Sequence, residues 1–449
     1  MNMQPEKKIK LQRNLIFSSV AALLALNFII GARVYSDSVK SGRDRLSVYQ
    51  SLELFSQVLN MVHREYVDAD KVAYRDLIYS ALRGMVGSLD PHSEFLTPED
   101  FKDLRDDTEG SFGGLGLVVG IRDGFLTVIA PMENTPGARA GIMPGDRIIK
   151  IEGESTEKMT LQEAVHRLRG KPGTKVTITI QRPSTGMVRE LTLTREVIEV
   201  ELVRDINGKK EFPLIDKNVG YVRISQFGEK TARELKAAIQ KLKDNGMRGM
   251  ILDLRWNPGG LLDQAVEVAS MFVPKGTVVV STRGRTLLQN SVRRASGPGD
   301  LLVTQDGERM PLVVLVNLGS ASASEIVAGC LQDLGRAVIL GEKTFGKGSV
   351  QSVLPLPDGS ALKLTTAYYY TPNKRCIHRE GIVPDVVVPI DEDTERYLLL
   401  KRTPGGLDSL PENERVRAET VEDIQLSRAV DLVKGLLRYQ ERVVRANSG

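Results

Sequence analysis

The chain changes hydrophobic period several times along its length. Leu52, Phe55, Leu59, Val62 and Tyr66, then Leu77, Ala81, Met85 and Leu89, recur every three or four positions and predict a small pair of helices. Between residues 111 and 195 the pattern shortens into strands at 125–130, 147–151, 175–181 and 189–194. Val176, Ile178 and Ile180 alternate there with Thr177, Thr179 and Gln181, so that strand buries one face. Leu161, Ala164, Val165 and Leu168 supply a single helix among them. From residue 220 onward strands and helices alternate. A strand at 220–227 is followed by a helix carrying Leu235, Ile239 and Leu242, which Gly246 stops. Next come a strand at 249–254, a helix at 261–272, strands at 311–317 and 337–340, a strand with three tyrosines at 361–370 and a last apolar strand at 381–388. Residues 285–300 are basic, rich in Ser and Gly and without period, and read as a mobile surface loop. Leu426, Val430, Val433 and Leu437 mark an amphipathic helix reaching about residue 444, which closes the core or pairs two subunits.

The fold class is therefore mixed α/β (α+β) and multidomain. Residues 1–40 form a cytoplasmic stub and membrane helix, 41–110 a helical region, 111–196 a β-module, 197–390 an α/β core and 391–449 a helical extension. The membrane helix rests on residues 15–32, an uncharged and largely apolar run preceded by Lys7, Lys8, Lys10 and Arg13 and ended by Arg33. It is near the lower limit of a span and longer than a usual signal core. Upstream positive charge puts the body of the protein outside the cytoplasm. Gly31-Ala32-Arg33 lacks the small-residue cleavage pattern, so an uncleaved anchor is favoured over a cleaved signal.

Charge and composition mostly exclude. A net charge of +4 with no basic block among aromatics argues against nucleic acid. His63, His92, His166 and His378 have no metal-ligand spacing, and no G-x-S-x-G is present, which argues against a Ser-His-Asp triad. Cys330 and Cys376 are read as free thiols.

The stretch 311–351 carries the chemistry. Its first strand stops at Asn317-Leu318-Gly319, and Ser320, Ser322 and Ser324 stand where a helix begins. The first amides of that helix lack intrahelical acceptors and point where an oxyanion would be stabilised. Ser322 and Glu325 also fit a plain capping box. Downstream, Lys343 and Lys347 lie in a glycine-punctuated loop. Gly341 and Gly346 have P-loop spacing, but Gly348 follows Lys347 where Ser or Thr is needed, so a phosphate role is weak. The other use of such a lysine is as general base for a serine. Lowering its pKa by about 3 units costs roughly 4 kcal/mol, which burial can impose. Gln351 is then available to orient the amine. Upstream, Arg255-Trp-Asn-Pro-Gly-Gly260 between strand and helix presents either bare amides at a strand end or only a tight turn.

Asn317-x-Gly-Ser-Ala-Ser-Ala-Ser-Glu-Ile326 followed by Gly346-Lys-Gly-x-x-Gln351 resembles the C-terminal processing (tail-specific) peptidases, Ser-Lys serine proteases with a PDZ domain. The resemblance covers roughly residues 45–390. It implies Ser322 as nucleophile, Lys347 as base and Gln351 as the third member, with the amides of Gly260 and Ala323 as the oxyanion hole. It implies a Ser-Lys core whose active site is a strand–turn–helix. Asp90-Pro-His-Ser-Glu-Phe-Leu96 is typical of the family too, and His92 is read as structural. Gly114, Leu115, Gly116 and Leu117 resemble a PDZ carboxylate loop, with Pro144–Gly153 at the matching place. Arg169 matches an arginine implicated in coupling that domain to the active site, against the alternative of a surface charge.

The expectation is a serine endopeptidase at the bacterial inner membrane, its catalytic domain in the periplasm, cutting proteins near their C-termini. Its substrates have free, apolar C-terminal tails, and it needs no cofactor. Further partners are the membrane and a homo-oligomer or adaptor. Rival readings are a catalytically inactive PDZ-containing scaffold, against which the intact Ser322, Lys347, Gln351 and Gly260 argue, and an acyl-thioester enzyme, which leaves the peptide-binding module unexplained.

Overall fold

The computed structural model describes residues 48–448 apart from 110, 123, 133–134, 144, 184, 200, 298, 305, 403–406, 408–409 and 411. The run 15–32 lies outside the described residues. Among those described, no helix is long and apolar enough to cross a membrane.

The chain divides between Ser88 and Leu89 into two units. In the first, helix α1 (residues 48–65) and helix α2 (Tyr74–Gly87) are held by polar and aromatic contacts. His63 Nδ1 lies 2.7 Å from the Val72 carbonyl, its ring stacks on Tyr74 at 4.0 Å, and the Tyr74 hydroxyl donates to Asn60 at 2.9 Å. The apolar stripe that predicts α1 is not buried: Leu52, Phe55, Val62 and Tyr66 are all exposed. Two helices alone enclose too little volume to form a core.

The second unit starts with β1 (Glu94–Leu96) and α3 (Pro98–Glu109). A β-module follows: β2 (Ser111–Gly114), β3 (Leu117–Arg122), β4 (Phe125–Pro131), α4 (Pro136–Arg139), β5 (Arg147–Ile151), β6 (Glu154–Ser155), α5 (Leu161–Leu168), β7 (Lys175–Arg182), β8 (Met187–Thr194) and β9 (Glu196–Glu199). Its main sheet runs β3-β4-β5-β7-β8, antiparallel throughout, while β2 pairs with β9. Val176, Ile178 and Ile180 are fully buried against Leu126, Val128 and Leu168. Thr160 and Glu163 cap α5 reciprocally, which fixes where the helix starts.

The remaining core comprises β10 (Val203–Arg204), β11 (Val219–Ile224), α6 (Thr231–Asp244), β12 (Gly249–Asp253), α7 (Leu262–Ser270), β13 (Val278–Gly284), β14 (Ser291–Arg294), β15 (Leu312–Val316), α8 (Ala323–Asp333), β16 (Val338–Gly341), β17 (Ser349–Pro355), β18 (Ala361–Tyr370), β19 (Val386–Val387), α9 (Glu392–Arg402), α10 (Glu412–Thr420) and α11 (Ile424–Ser448). One sheet has the order β10-β11-β12-β15-β16-β19 and is parallel from β11 onward. Its central strands are continuous apolar runs because both faces are covered. Leu252, Val314 and Val316 pack on the side of α6, α7 and α8. Ile251, Val313 and Leu315 pack against Ala429, Val433 and Leu437 of α11. The amphipathic C-terminal helix thus closes the core. A Cβ on Gly249 would meet Val433 at 2.5 Å, so the close approach of α11 needs glycine there.

Arg255, 2% exposed, fastens this arrangement. It reaches Asp253 through Nη2 at 2.7 Å and both carboxylate oxygens of Asp423, just before α11, at 2.8 Å.

A second sheet, β1-β18-β13-β14 with β17 on β18, stands beside the first. Two expectations change here. The segment expected as an irregular loop at 285–300 is in part regular: residues 291–294 return as β14 on β13, with Thr282 Oγ1 bonded to Ser291 Oγ at 2.9 Å. The strand expected at 381–388 shrinks to Val386–Val387, because Pro384 has no N–H to donate and Gly381 takes φ +65° in a turn.

Candidate active site

Two strand ends build the site. After β12 the backbone turns through Trp256, Gly259 and Gly260, all at positive φ. Buried Asn257 holds the turn: Nδ2 donates to the Ile224 carbonyl at 2.8 Å and Oδ1 accepts the Gly259 N–H at 2.9 Å. A Cβ on Gly260 would lie 2.2 Å from the Phe227 carbonyl oxygen, and one on Gly259 2.8 Å from the Ser322 Cβ. Only glycine fits either position. Among the described residues the Gly260 N–H has no acceptor.

After β15 the three serines separate. Ser320 Oγ donates to the Leu254 carbonyl at 2.8 Å and accepts the Asn317 N–H at 3.0 Å. Ser324 Oγ donates to the Asn257 carbonyl at 2.9 Å. Both are fully buried and tie α8 to the neighbouring strand end. Ser322 differs. It sits at φ +54°, its Oγ is placed to accept from the Glu325 N–H in a capping box but donates to no acceptor among the described residues, and it retains 9% exposure. The N–H of Ala323 also lacks an acceptor among the described residues.

Glu325 does more than cap. Its Oε2 accepts the Ser322 N–H at 2.8 Å and the Lys347 N–H at 2.9 Å. Its Oε1 accepts Thr344 Oγ1 at 2.5 Å and the Gly346 N–H at 2.7 Å. One buried carboxylate therefore joins the backbone of the serine to the backbone of the lysine. Burial pushes its pKa up, and the four donors pull it back.

Lys347 is half-buried. Burial first, then the ammonium of Lys363, holds its amine below the ordinary lysine range, while Asp90 and Glu325 act in the opposite sense. Lys343 is exposed. Gln351 Nε2 donates to Ser349 Oγ at 2.8 Å and to Thr365 Oγ1 at 3.3 Å. No hydrogen bond among the described residues joins Lys347 Nζ to Ser322 or Gln351. Such bonds commonly tighten only with substrate in place. His92 has its pKa lowered by burial and then by Lys347, so it faces the lysine electrostatically.

In the β-module, Gly114–Leu117, Val165, Leu168 and Arg169 line a cavity of about 140 Å³ between β3 and α5. The carbonyls of Leu115 and Gly116 accept from Gly137 and Met132, and their two N–H groups have no acceptor among the described residues. Gly116 is at φ +67°, and its Cβ would strike Thr135 at 2.3 Å. The Arg169 guanidinium lies 4.4 Å from the Phe112 ring centre, at the rim of this groove. Both cysteines are free; Cys330 is buried and its thiol is pushed up to about 12.

Residues 218–388 match Peptidase family S41, and residues 127–182 match a PDZ domain. A carboxy-terminal-processing protease of Bartonella bacilliformis is 39% identical over 444 residues, 95% of this chain and 97% of that protein. The carboxy-terminal processing protease CtpA of Bacillus subtilis is 34% identical over 385 residues, 85% of this chain and 77% of that one. The chain belongs to the carboxyl-terminal-processing proteases of peptidase family S41. Among solved structures, the photosystem II D1 C-terminal processing protease is similar at 32% identity, over 75% of this chain and 92% of that one, with a TM-score of 0.44. This S41 chain is thus a serine-type peptidase with a PDZ domain.

Glu325, Asn257, Ser320, Ser324 and Lys363 carry no functional assignment in the sequence pattern. Only Glu325 left a signal, the capping-box spacing, and that spacing points to one of its four bonds.

Proposed function

We propose that Ser322 is the nucleophile and Lys347 its general base, cutting protein chains near their C-termini after the PDZ domain takes the free terminal carboxylate. The observation that carries this reading is the difference among the three serines: the hydroxyls of Ser320 and Ser324 are committed to backbone carbonyls, and that of Ser322 is not. Neutral Lys347 takes the hydroxyl proton as Ser322 Oγ bonds to the scissile carbonyl carbon. The resulting oxyanion is received by the N–H groups of Gly260 and Ala323. Collapse expels the amine, which leaves with the proton from Lys347. Water then hydrolyses the acyl-enzyme with Lys347 again as base. Gln351 orients the lysine. In the groove, the amides of Leu115 and Gly116 hold the substrate carboxylate, and Arg169 at its rim links occupancy to the protease core.

The test is digestion of a protein with a disordered, apolar C-terminal tail. Ser322→Ala and Lys347→Ala, each shown folded by its Tm, are expected to lose all turnover, whereas Lys343→Ala stays active. A folded Ser322→Ala protein that still processes substrate refutes the reading. The location proposed is the inner membrane, anchored through residues 15–32 with the catalytic domain in the periplasm. What supports it is the uncharged run behind four upstream cations. Membrane fractions should retain the full-length chain through carbonate extraction, and finding only a soluble form beginning after Ala32 refutes the anchor.

A further inference from the structure

The turn Asp90-Pro-His-Ser93 lies far in sequence from both catalytic segments, yet it is bonded to β18, the strand that pairs with the one carrying Gln351. Asp90 Oδ1 accepts the N–H groups of His92 and Ser93 at 2.8 and 2.9 Å, and Oδ2 accepts the Ser93 hydroxyl at 2.7 Å. Ser93 Oγ, on a residue 5% exposed, in turn accepts the Thr365 N–H at 3.0 Å. Thr365 is paired with Gln351 in the β17–β18 ladder and accepts from its carboxamide. The register of that ladder shifts between Val350 and Gln351, and a bulge is the usual device for re-aiming a side chain beside a site. Strand pairing of β1 with β18 ends at Lys363, so Ser93 satisfies the Thr365 N–H just beyond the ladder.

We propose that the Asp90–Ser93 turn is a positioning element of the protease, fixing Gln351 through Thr365 and presenting the Asp90 carboxylate to Lys347. This rests on the Ser322–Lys347–Gln351 reading. The turn sets two things at once, the direction of the Gln351 carboxamide and the charge around the base. The charged and titratable groups around Lys347 are Asp90 and His92 from the turn, Lys363 from β18 and Glu325 from α8. His378 and Arg379 follow on the segment packed against Gly346 and Gly348. Asp90 acts to keep Lys347 protonated, opposing Lys363. Removing its charge should therefore make the amine easier to deprotonate.

The experiment is kcat, KM and the pH profile of kcat/KM for full-length protein and its variants Thr365→Val, Thr365→Ser and Asp90→Asn, with Gln351→Ala alone and combined with Thr365→Val. Thr365→Val removes the acceptor at nearly constant shape and Thr365→Ser keeps it. Thr365→Val is expected to lower kcat at least tenfold with KM within twofold, and Thr365→Ser to stay within threefold of wild type. In the Gln351→Ala background the further loss from Thr365→Val should vanish. Asp90→Asn is expected to move the ascending limb of kcat/KM to lower pH. Wild-type kcat in Thr365→Val, or losses that multiply in full with Gln351→Ala, overturns the inference. So does an unmoved limb in Asp90→Asn, which would leave the turn a purely structural device. Ser322→Ala and Lys347→Ala run alongside: if they are dead while Thr365→Val is normal, only the positioning inference fails, and if they turn over, the catalytic pair fails with it.

Discussion

Replacing Glu325 by Gln changes one buried atom from acceptor to donor and tests the clamp between serine and lysine. The carboxylate accepts four hydrogen bonds, two at each oxygen. A glutamine keeps one oxygen. If its amide faces Ser322 and Lys347, two buried N–H groups lose their acceptor, at about 1–3 kcal/mol each, or about 2–6 kcal/mol together. If it faces the other pair, the Thr344 hydroxyl can turn to accept from the amide, leaving the Gly346 N–H stranded at about 1–3 kcal/mol and the Thr344 O–H to find a new acceptor. Domains are stable by roughly 5–15 kcal/mol, so the second orientation leaves a folded protein. The clamp then survives with weaker bonds to a neutral oxygen. A displacement near 1 Å in either catalytic segment costs about 100-fold in rate. Glu325→Gln is thus expected to lower Tm measurably and kcat by about 10- to 100-fold, with little change in KM. Thermal melts and single-turnover cleavage of a substrate labelled on a side chain, its C-terminal carboxylate left free, give both numbers. Wild-type Tm and kcat in this variant would refute the clamp.

Ser320→Ala and Ser324→Ala should each keep measurable turnover but lose about 1–2 kcal/mol by denaturant melt, since the first removes two buried hydrogen bonds and the second one. A lysine base works only when neutral, so with Lys347 in its proposed role kcat/KM should fall as pH drops through the Lys347 pKa; Lys363→Gln removes a neighbouring cation and should shift that limb to higher pH. Because the fold depresses this lysine, the unfolded chain binds more protons across the same window, and the group's contribution to stability rises with pH there. Amidating a substrate's C-terminus should cut kcat/KM at least tenfold, since the proposed charge-assisted bond to the Leu115 and Gly116 amides would be worth roughly 1.5–3 kcal/mol; equal cleavage of both forms removes the groove from the mechanism. Arg255→Met strands Asp253 and Asp423 and should cost about 3–5 kcal/mol, read as early loss of α11 in hydrogen exchange.

Much of the architecture was legible because the hydrophobic period follows it. The alternation at Val176–Ile180 and the uninterrupted runs at β12 and β15 each reflect how many faces are covered. Where period and burial part company, the sequence misleads: Phe55 and Val62 keep helical spacing on an exposed face, and the polar segment that forms β14 is held by Thr282 and Ser291 rather than by apolar side chains. In the candidate site, the spacing of Ser322 and Lys347 was visible. What separates Ser322 from its two neighbours was not, because the partners of Ser320 and Ser324 are carbonyls of the segment 254–257. Glu325 looked like a local cap because three of its donors come from 344–347, brought in by β16. The run at 15–32 lies outside the described residues.

The φ of +54° at Ser322 has a consequence for mutants and for lineages. A side chain held in that region costs about 1–3 kcal/mol, and alanine at the same place inherits the cost while glycine escapes it. The two usual ways of removing the proposed nucleophile are therefore not equivalent. An alanine knock-out keeps the tension of the working molecule and is the fair reference for binding. A glycine knock-out relaxes it and should melt later than the active protein. If Ser322 is the nucleophile proposed above, drift toward stability alone runs through its loss, and only continued selection for cleavage keeps a residue with a side chain there.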